Sequence, residues 1–349
     1  MVEFIFDYLK GTKRKFSDLS DKVVNSLTSL SKKYQLIGFI SSIYQFSDEE
    51  RLKELKAIRK IMVTRNLMMM HDLEIVCNQF NKENINYCIL KGPALVHSGI
   101  YAKGIRFFRD LDILVSRSHL ELAFESLKKL GFCYENKLSN NNCNVLGDMH
   151  HLPIMRNKNG TYLELHHRVT SSKNYLSCPI SENILEDKIF YNGIYIPSSD
   201  ALIAHSIYHG MVHHEEPIGP ITLFDLKEIS KKFNHELDSY NKYLKFLGLE
   251  NKANQINDLF IDVYKDVSIN NFSQKLDHIN KNIAPKHRLD SRIYIFNLGA
   301  IIDKMGNNFF HSKVELTEFK YQIKRTNLKF IFFYALELLG AIKRKIKFF

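Results

Sequence analysis

Arg106-Phe-Phe-Arg109-Asp110-Leu-Asp112-Ile-Leu-Val115 is the stretch on which the fold turns. From Asp110 onward it is apolar except at two alternate positions, both aspartate. Residues i and i+2 of a strand share a face. A strand over Leu111–Val115 therefore projects Asp110 and Asp112 together. Two like charges on one face raise each other's pKa unless a cation lies between them. Mg2+, which prefers oxygen ligands, resolves that conflict. Tyr162-Leu-Glu164-Leu-His166 repeats the pattern, with Glu164 flanked by leucines. Three carboxylates on neighbouring strands, Asp110, Asp112 and Glu164, form a platform for metal-assisted phosphoryl or nucleotidyl transfer. The alternative is that Asp110 and Asp112 line the wet face of an edge strand.

Outward from this stretch the pattern is mixed. Residues 1 to about 84 read as helical, with Leu52, Leu55, Ile58, Ile61 and Met62 and then Leu67, Met70, Leu73, Val76 and Phe80 at helical spacing. Asn86-Tyr-Cys-Ile-Leu90 is a short strand running into Lys91-Gly92-Pro93, and Pro93 starts a helix reaching Tyr101. Ser118 caps a helix over His119–Leu130 that Gly131 stops. Residues 136–144 form a polar loop. Strands over His151–Met155 and Thr161–His166 are joined by the turn Asn157-Lys-Asn-Gly160. Past about residue 195 the chain is helical: Asp200 caps a helix over Ala201–His213, and another runs from Ile221 to Phe233. The expected fold class is α+β, a small mixed sheet within residues 61–195 between helical segments 1–60 and 196–349.

The chain has 349 residues, 45% hydrophobic and 25% charged, as in a soluble globular protein. Its formal net charge of +11 favours polyanionic partners, or is compositional drift in a lysine-rich chain without charge blocks. Five widely spaced cysteines (Cys77, Cys88, Cys133, Cys143 and Cys178) without a C-x-x-C pair argue against a zinc ribbon or disulfide framework and for a reducing cytoplasm. No apolar run is long enough for a transmembrane helix, and the N-terminus does not read as a secretory signal.

The order Leu90-Lys91-Gly92, Arg106, Asp110-Leu-Asp112-Ile-Leu-Val115, Glu164-Leu-His166, His209-Gly210 and Asp225 resembles the uncharacterised nucleotidyltransferase family of the polymerase-beta-like nucleotidyltransferase superfamily, over roughly residues 60 to 235. The resemblance implies a small mixed sheet, Mg2+ (or Mn2+) held by Asp110, Asp112 and Glu164, and a nucleoside triphosphate donor. Three departures stand out. The superfamily's glycine pair or Gly-Ser on the first turn is here Lys91-Gly92-Pro93. The interval from Gly92 to Asp110 is longer, and the third carboxylate is glutamate.

Each supporting residue has two readings. Gly92 lets the backbone approach a triphosphate that Lys91 neutralises, or the pair is a plain strand-to-helix turn. Arg106 and Arg109 reach a bound phosphate, or one of them pairs with Asp110 or Asp112 when no metal is present. His205, His209 and His213, four apart, line one helical stripe. That stripe ligates a transition metal, lines the cleft through His209 or His213, or simply packs; Asp225 is placed to orient one of these histidines. The apolar stretch Phe330–Ile342 with its basic end Lys343–Phe349 lies on an anionic membrane surface, making the protein membrane-associated, or docks on the protein's own core. The expected activity is transfer of an NMP group from an NTP to an acceptor that the sequence does not identify: a sugar, a small molecule, a protein or RNA. The alternative is a catalytically inactive nucleotide- or partner-binding protein that keeps the fold.

Overall fold

The computed structural model describes residues 2–45, 50–134, 150–170, 179–213, 219–233, 241–265 and 268–283. The polar loop 136–144, Cys143, Cys178, His214 and the stretch 330–349 lie outside them. The chain begins with α1 (Val2–Lys10), a two-residue strand β1 (Arg14–Lys15), α2 (Asp21–Tyr34) and α3 (Ile37–Ile43). Strand β2 (Tyr44–Gln45) pairs with β1 in parallel. Helix α4 (Lys53–Lys82) then runs unbroken for 30 residues and buries Leu55, Met69, Leu73, Val76, Cys77 and Phe80 at helical spacing.

The central sheet follows. Strand β3 (Tyr87–Ile89) leads into α5 (Lys91–His97), which ends four residues short of Tyr101. Strand β4 (Asp110–Val115) precedes α6 (Leu120–Lys129), which buries Leu120, Ala123, Phe124 and Leu127. The expected cap at Ser118 is corrected. Residues Arg117–His119 form a tight 3-10 turn first, and Ser116 occupies the extended position ahead of it. Strand β5 (Cys133–Tyr134) was not foreseen. Strand β6 (Met155–Arg156) is shorter than expected, while His151 makes an isolated bridge to His166 of β7 (Tyr162–His166).

The sheet order is β3-β4-β7-β6-β5. β4 and β7 are parallel, and the other neighbours are antiparallel, so the sheet is mixed and the α+β expectation is borne out. The β6–β7 turn is pinned from two sides. Asn157 Oδ1 accepts from the backbone N–H groups of Asn159 and Thr161, each at 3.0 Å. Buried Asp72 on α4 accepts from Asn157 Nδ2 and Asn159 Nδ2, each at 2.9 Å, and from the Thr161 hydroxyl. A helix thereby holds the hairpin that carries Glu164.

Beyond the sheet come α7 (Ile180–Glu186) and a hairpin of β8 (Ile189–Tyr191) and β9 (Ile194–Ile196), then α8 (Ser199–Tyr208). Ser198, not Asp200, caps α8: its hydroxyl accepts from Ala201 N at 3.4 Å, and the helix starts two residues earlier than expected. A π-helical turn over His209–His213 follows. Then come α9 (Pro220–Phe233), α10 (Lys242–Leu247), α11 (Glu250–Tyr264) and α12 (Ile269–Ile283). Among the described residues no helix is long and apolar enough to cross a membrane.

An aromatic cluster joins the first helices to α9. Tyr8 and Phe224 have ring centroids 4.1 Å apart, Phe39 and Phe224 4.9 Å, and Phe39 and Tyr101 5.6 Å. Such pairs bury large apolar area and add to it through ring geometry. Against this cluster lies the segment leading to Asp110, and α3 touches that segment closely. A Cβ on Gly38 would stand 2.0 Å from the carbonyl oxygen of Ile105. No side chain fits there unless backbones separate. Gly38→Ala is expected to destabilise the fold by about 1–3 kcal/mol or more, read as a lower midpoint in urea unfolding.

Candidate metal centre

The parallel register of β4 and β7 sets Asp110 against Tyr162, Asp112 against Glu164 and Leu114 against His166. All six side chains share one face, by the two-residue period. The other face carries Leu111, Ile113 and Val115 beside Leu163 and Leu165, all fully buried. The carboxylates therefore sit where an apolar sheet has fixed them.

Asp112 is 1% exposed. Its Oδ1 accepts from Lys91 Nζ at 2.6 Å and lies 2.9 Å from His166 Nε2. His166 Nε2 also lies 3.4 Å from Glu164 Oε2. One donor atom each from Asp112, Glu164 and His166 falls within 4.8 Å of the others. That set differs from the expected Asp110, Asp112 and Glu164. Asp110 shares the face but not the cluster, and His166 joins it. The signal for His166 was present in Glu164-Leu-His166, whose alternation puts the imidazole beside the carboxylate.

Burial opposes charge on every member of this group, and the neighbours decide the outcome. For Asp112, burial pushes the pKa up, but the Lys91 ammonium and the His166 hydrogen bond hold it well below the usual carboxylate range. Burial likewise raises Glu164, and His166 brings it net down. His166 itself is raised, since its bonds to Asp112 and Glu164 outweigh the cost of burial. At Asp110 the charges of Lys91 and His166 also act, but they do not prevail. Its carboxyl is pushed up to about 6, first by burial and then by the charges of Asp112 and Glu164. The donors fit a hard divalent cation: two carboxylates converge on adjacent strands with a third beside them, and buried oxygens demand positive charge.

Lys91 opens α5 with φ of +54°, in the left-handed region. A non-glycine residue there costs on the order of 1–2 kcal/mol. The adjacent glycine is used for packing. A Cβ on Gly92 would stand 3.0 Å from Phe108 Cβ, so Gly92 lets α5 lie against the segment before β4.

The remaining candidates lie elsewhere. Arg106 is committed to Asp225 on α9, with Nε at 2.9 and 3.1 Å from the two carboxylate oxygens and Nη2 at 3.0 Å from Oδ2. Tyr101 OH donates to Asp225 Oδ1 at 2.9 Å. The expectation for Arg106 was a bound phosphate or, in its place, pairing with Asp110 or Asp112; the carboxylate it holds is Asp225, 119 residues away in sequence. Asp225, expected beside a histidine, is the acceptor of this pair. Arg109 is exposed, and its carbonyl accepts from Arg65 Nη2 at 3.3 Å. His209 falls on the π-helical turn, its ring centroid 6.2 Å from that of buried His205. The turn interrupts the spacing of four on which the His205–His209–His213 stripe was drawn.

A model of the uncharacterised nucleotidyltransferase family matches residues 28–256. The chain belongs to that family. The resemblance carried by Lys91-Gly92, Asp110-Leu-Asp112 and Glu164-Leu-His166 is thus borne out, over a longer stretch than those motifs mark. Among solved structures, an antigenic nucleotidyltransferase-like protein from Paracoccidioides brasiliensis is similar at 15% identity with a TM-score of 0.36, over 56% of this chain and 92% of that one. No curated protein matches the chain.

The Arg106–Asp225 pair generates a stability test. Its side chains are 12% and 8% exposed. Removing one partner of a buried pair leaves an uncompensated charge and costs about 3–5 kcal/mol. Arg106→Ala and Asp225→Ala are each expected to cost that much in denaturant unfolding. The double variant should cost clearly less than their sum.

Proposed function

We propose that the protein is a metal-dependent nucleotidyltransferase that moves an NMP group from an NTP to an acceptor hydroxyl. The observation that carries this reading is the convergence of Asp112, Glu164 and His166 within 4.8 Å, with Asp110 on the same face. Asp112 and Glu164 would hold Mg2+ or Mn2+, His166 would supply a donor or orient the two carboxylates, and Asp110 would complete the set. When bound, such a cation neutralises charge on phosphate oxygens.

The chain's own residues do the rest. Lys91 has its ammonium beside the carboxylates and would neutralise charge on an incoming triphosphate. The acceptor oxygen forms a bond to the α-phosphorus while the bond from that phosphorus to the bridging oxygen breaks. Pyrophosphate leaves, and the acceptor's proton passes to Glu164 or another site carboxylate. Arg109 is exposed one residue before Asp110 and remains a candidate phosphate contact; His209, on the helical side, remains one for the cleft.

Calorimetry of NTP with Mg2+ tests the reading. The wild type is expected to bind, and an Asp110→Ala, Asp112→Ala double variant to lose binding by 10-fold or more, on the order of a removed charge-assisted contact. Unchanged binding in the double variant would sink it.

One observation favours a second reading, in which the fold binds nucleotide without transferring it. Lys91 already compensates Asp112, a place that a catalytic cation would need. Release of pyrophosphate from any NTP with an acceptor present excludes this second reading.

A further inference from the structure

We propose that Lys91 is the resident cation of the carboxylate group, and that it leaves Asp112 when a divalent cation arrives together with a triphosphate, moving onto that triphosphate. The inference rests on the reading of Asp112 and Glu164 as metal donors. It deepens that reading by naming the ligand class: a cation–triphosphate unit rather than a bare ion.

Four observations carry it. First, Asp112 Oδ1 is already shared between Lys91 Nζ at 2.6 Å and His166 Nε2 at 2.9 Å. An ammonium and a divalent cation repel at one carboxylate oxygen, so one excludes the other. Second, the Lys91 side chain is 24% exposed against 2% for Asp112, so the lysine reaches the surface where the carboxylate does not. Lysine's four-carbon stem and rotatable donors suit that movement. Third, Lys91 holds φ of +54°, a conformation that lysine adopts at a cost when an interaction rewards it. Fourth, the backbone beneath does not depend on the pair. Leu90 N donates to Asp112 O at 2.9 Å, and β3 and β4 continue the ladder through Ile89–Ile113 and Cys88–Leu114.

Charge balance gives the direction. A bare dication would leave the displaced ammonium beside it with nothing to neutralise either. A triphosphate arriving on the same cation accepts that ammonium. Metal alone is therefore held weakly, and the two components favour each other through Lys91.

The test uses the full chain, MnCl2 and inorganic triphosphate. Lys91→Met keeps the length and removes the charge. By calorimetry and Mn2+ electron paramagnetic resonance, it is expected to bind Mn2+ alone about tenfold tighter than wild type. With Mn2+ saturating, it should bind triphosphate about tenfold weaker, and Lys91→Arg should bring both back toward wild type. Opposite signs on the two ligands distinguish exchange from a merely structural role, which would weaken both or neither. A second measurement needs no variant. Acetylation of Lys91 in the wild type, followed by mass spectrometry, should rise with saturating Mn2+ and fall when triphosphate is added. Equal Mn2+ affinity in the folded Lys91→Met protein, or acetylation indifferent to Mn2+, overturns the exchange and leaves the metal-donor reading standing. No Mn2+ uptake by wild type or variant overturns both.

Discussion

The candidate metal centre depends on the parallel pairing of β4 with β7, because that register brings Asp112 opposite Glu164 inside a sheet. Parallel strands require a long crossover rather than a tight turn. Here α6, β5 and β6 fill it. A slip of one residue would turn Asp112 onto the face of Leu111 and Ile113, where no carboxylate waits across the strand. The register has to be held from outside the two strands. Asp72 on α4 does so at one end, by gripping the Asn157–Gly160 turn that starts β7. The bridge between His151 and His166, with Leu152 N donating to Leu165 O at 2.8 Å, holds the other end.

The strands carrying the site were legible because their periodicity and their chemistry coincide. Asp110-Leu-Asp112-Ile and Leu-Glu164-Leu-His166 each alternate, and alternation is a local property. That the carboxylate strands are neighbours, and that a hairpin leads into the second, was legible; the parallel direction of β4 and β7 was not, and neither was the helix that pins the turn. Asp72 reads as a polar break in a helical stripe until the turn asparagines 85 and 87 residues away are seen to meet it. The β8–β9 hairpin was missed for another reason. Asn192-Gly193 is a strong two-residue turn signal, but Ile189–Tyr191 and Ile194–Ile196 are three residues each, too short for a pattern to declare itself. The change of helical pitch at His209–His213 is not something a count of residues can register.

Arg106 shows how a charge pattern can point to the right residue and the wrong partner. An arginine four positions before Asp110 invites pairing with a phosphate or with a carboxylate of the site. Its partner is Asp225, 119 residues later, in a place walled by Tyr101 and the aromatic cluster of Tyr8, Phe39 and Phe224. Burial disfavours the guanidinium's charge, yet Asp225 overrides it and raises the pKa. Such a pair is expensive to break and weak evidence for stability as such. Its effect is one of position: it ties the segment before β4 to α9.

The segment from Lys91 to Asp112 is thus held in two different ways. At its far side Arg106 is locked in a dry, bidentate pair with an element outside the sheet. At its ends Lys91 and Asp112 close the segment on itself, 21 residues apart, through a partly buried ion pair. Loop closure over that distance costs entropy that changes slowly with length, and the backbone bond from Leu90 to Asp112 already meets it. The backbone path is therefore held without the side-chain pair, whose part is to compensate the buried carboxylate. An arginine in a buried fork is costly to move, whereas a lysine on a flexible stem can trade one anion for another. The division of labour between Arg106 and Lys91 follows from that difference: the arginine fixes the segment from outside the sheet, and the lysine closes it through the more movable contact.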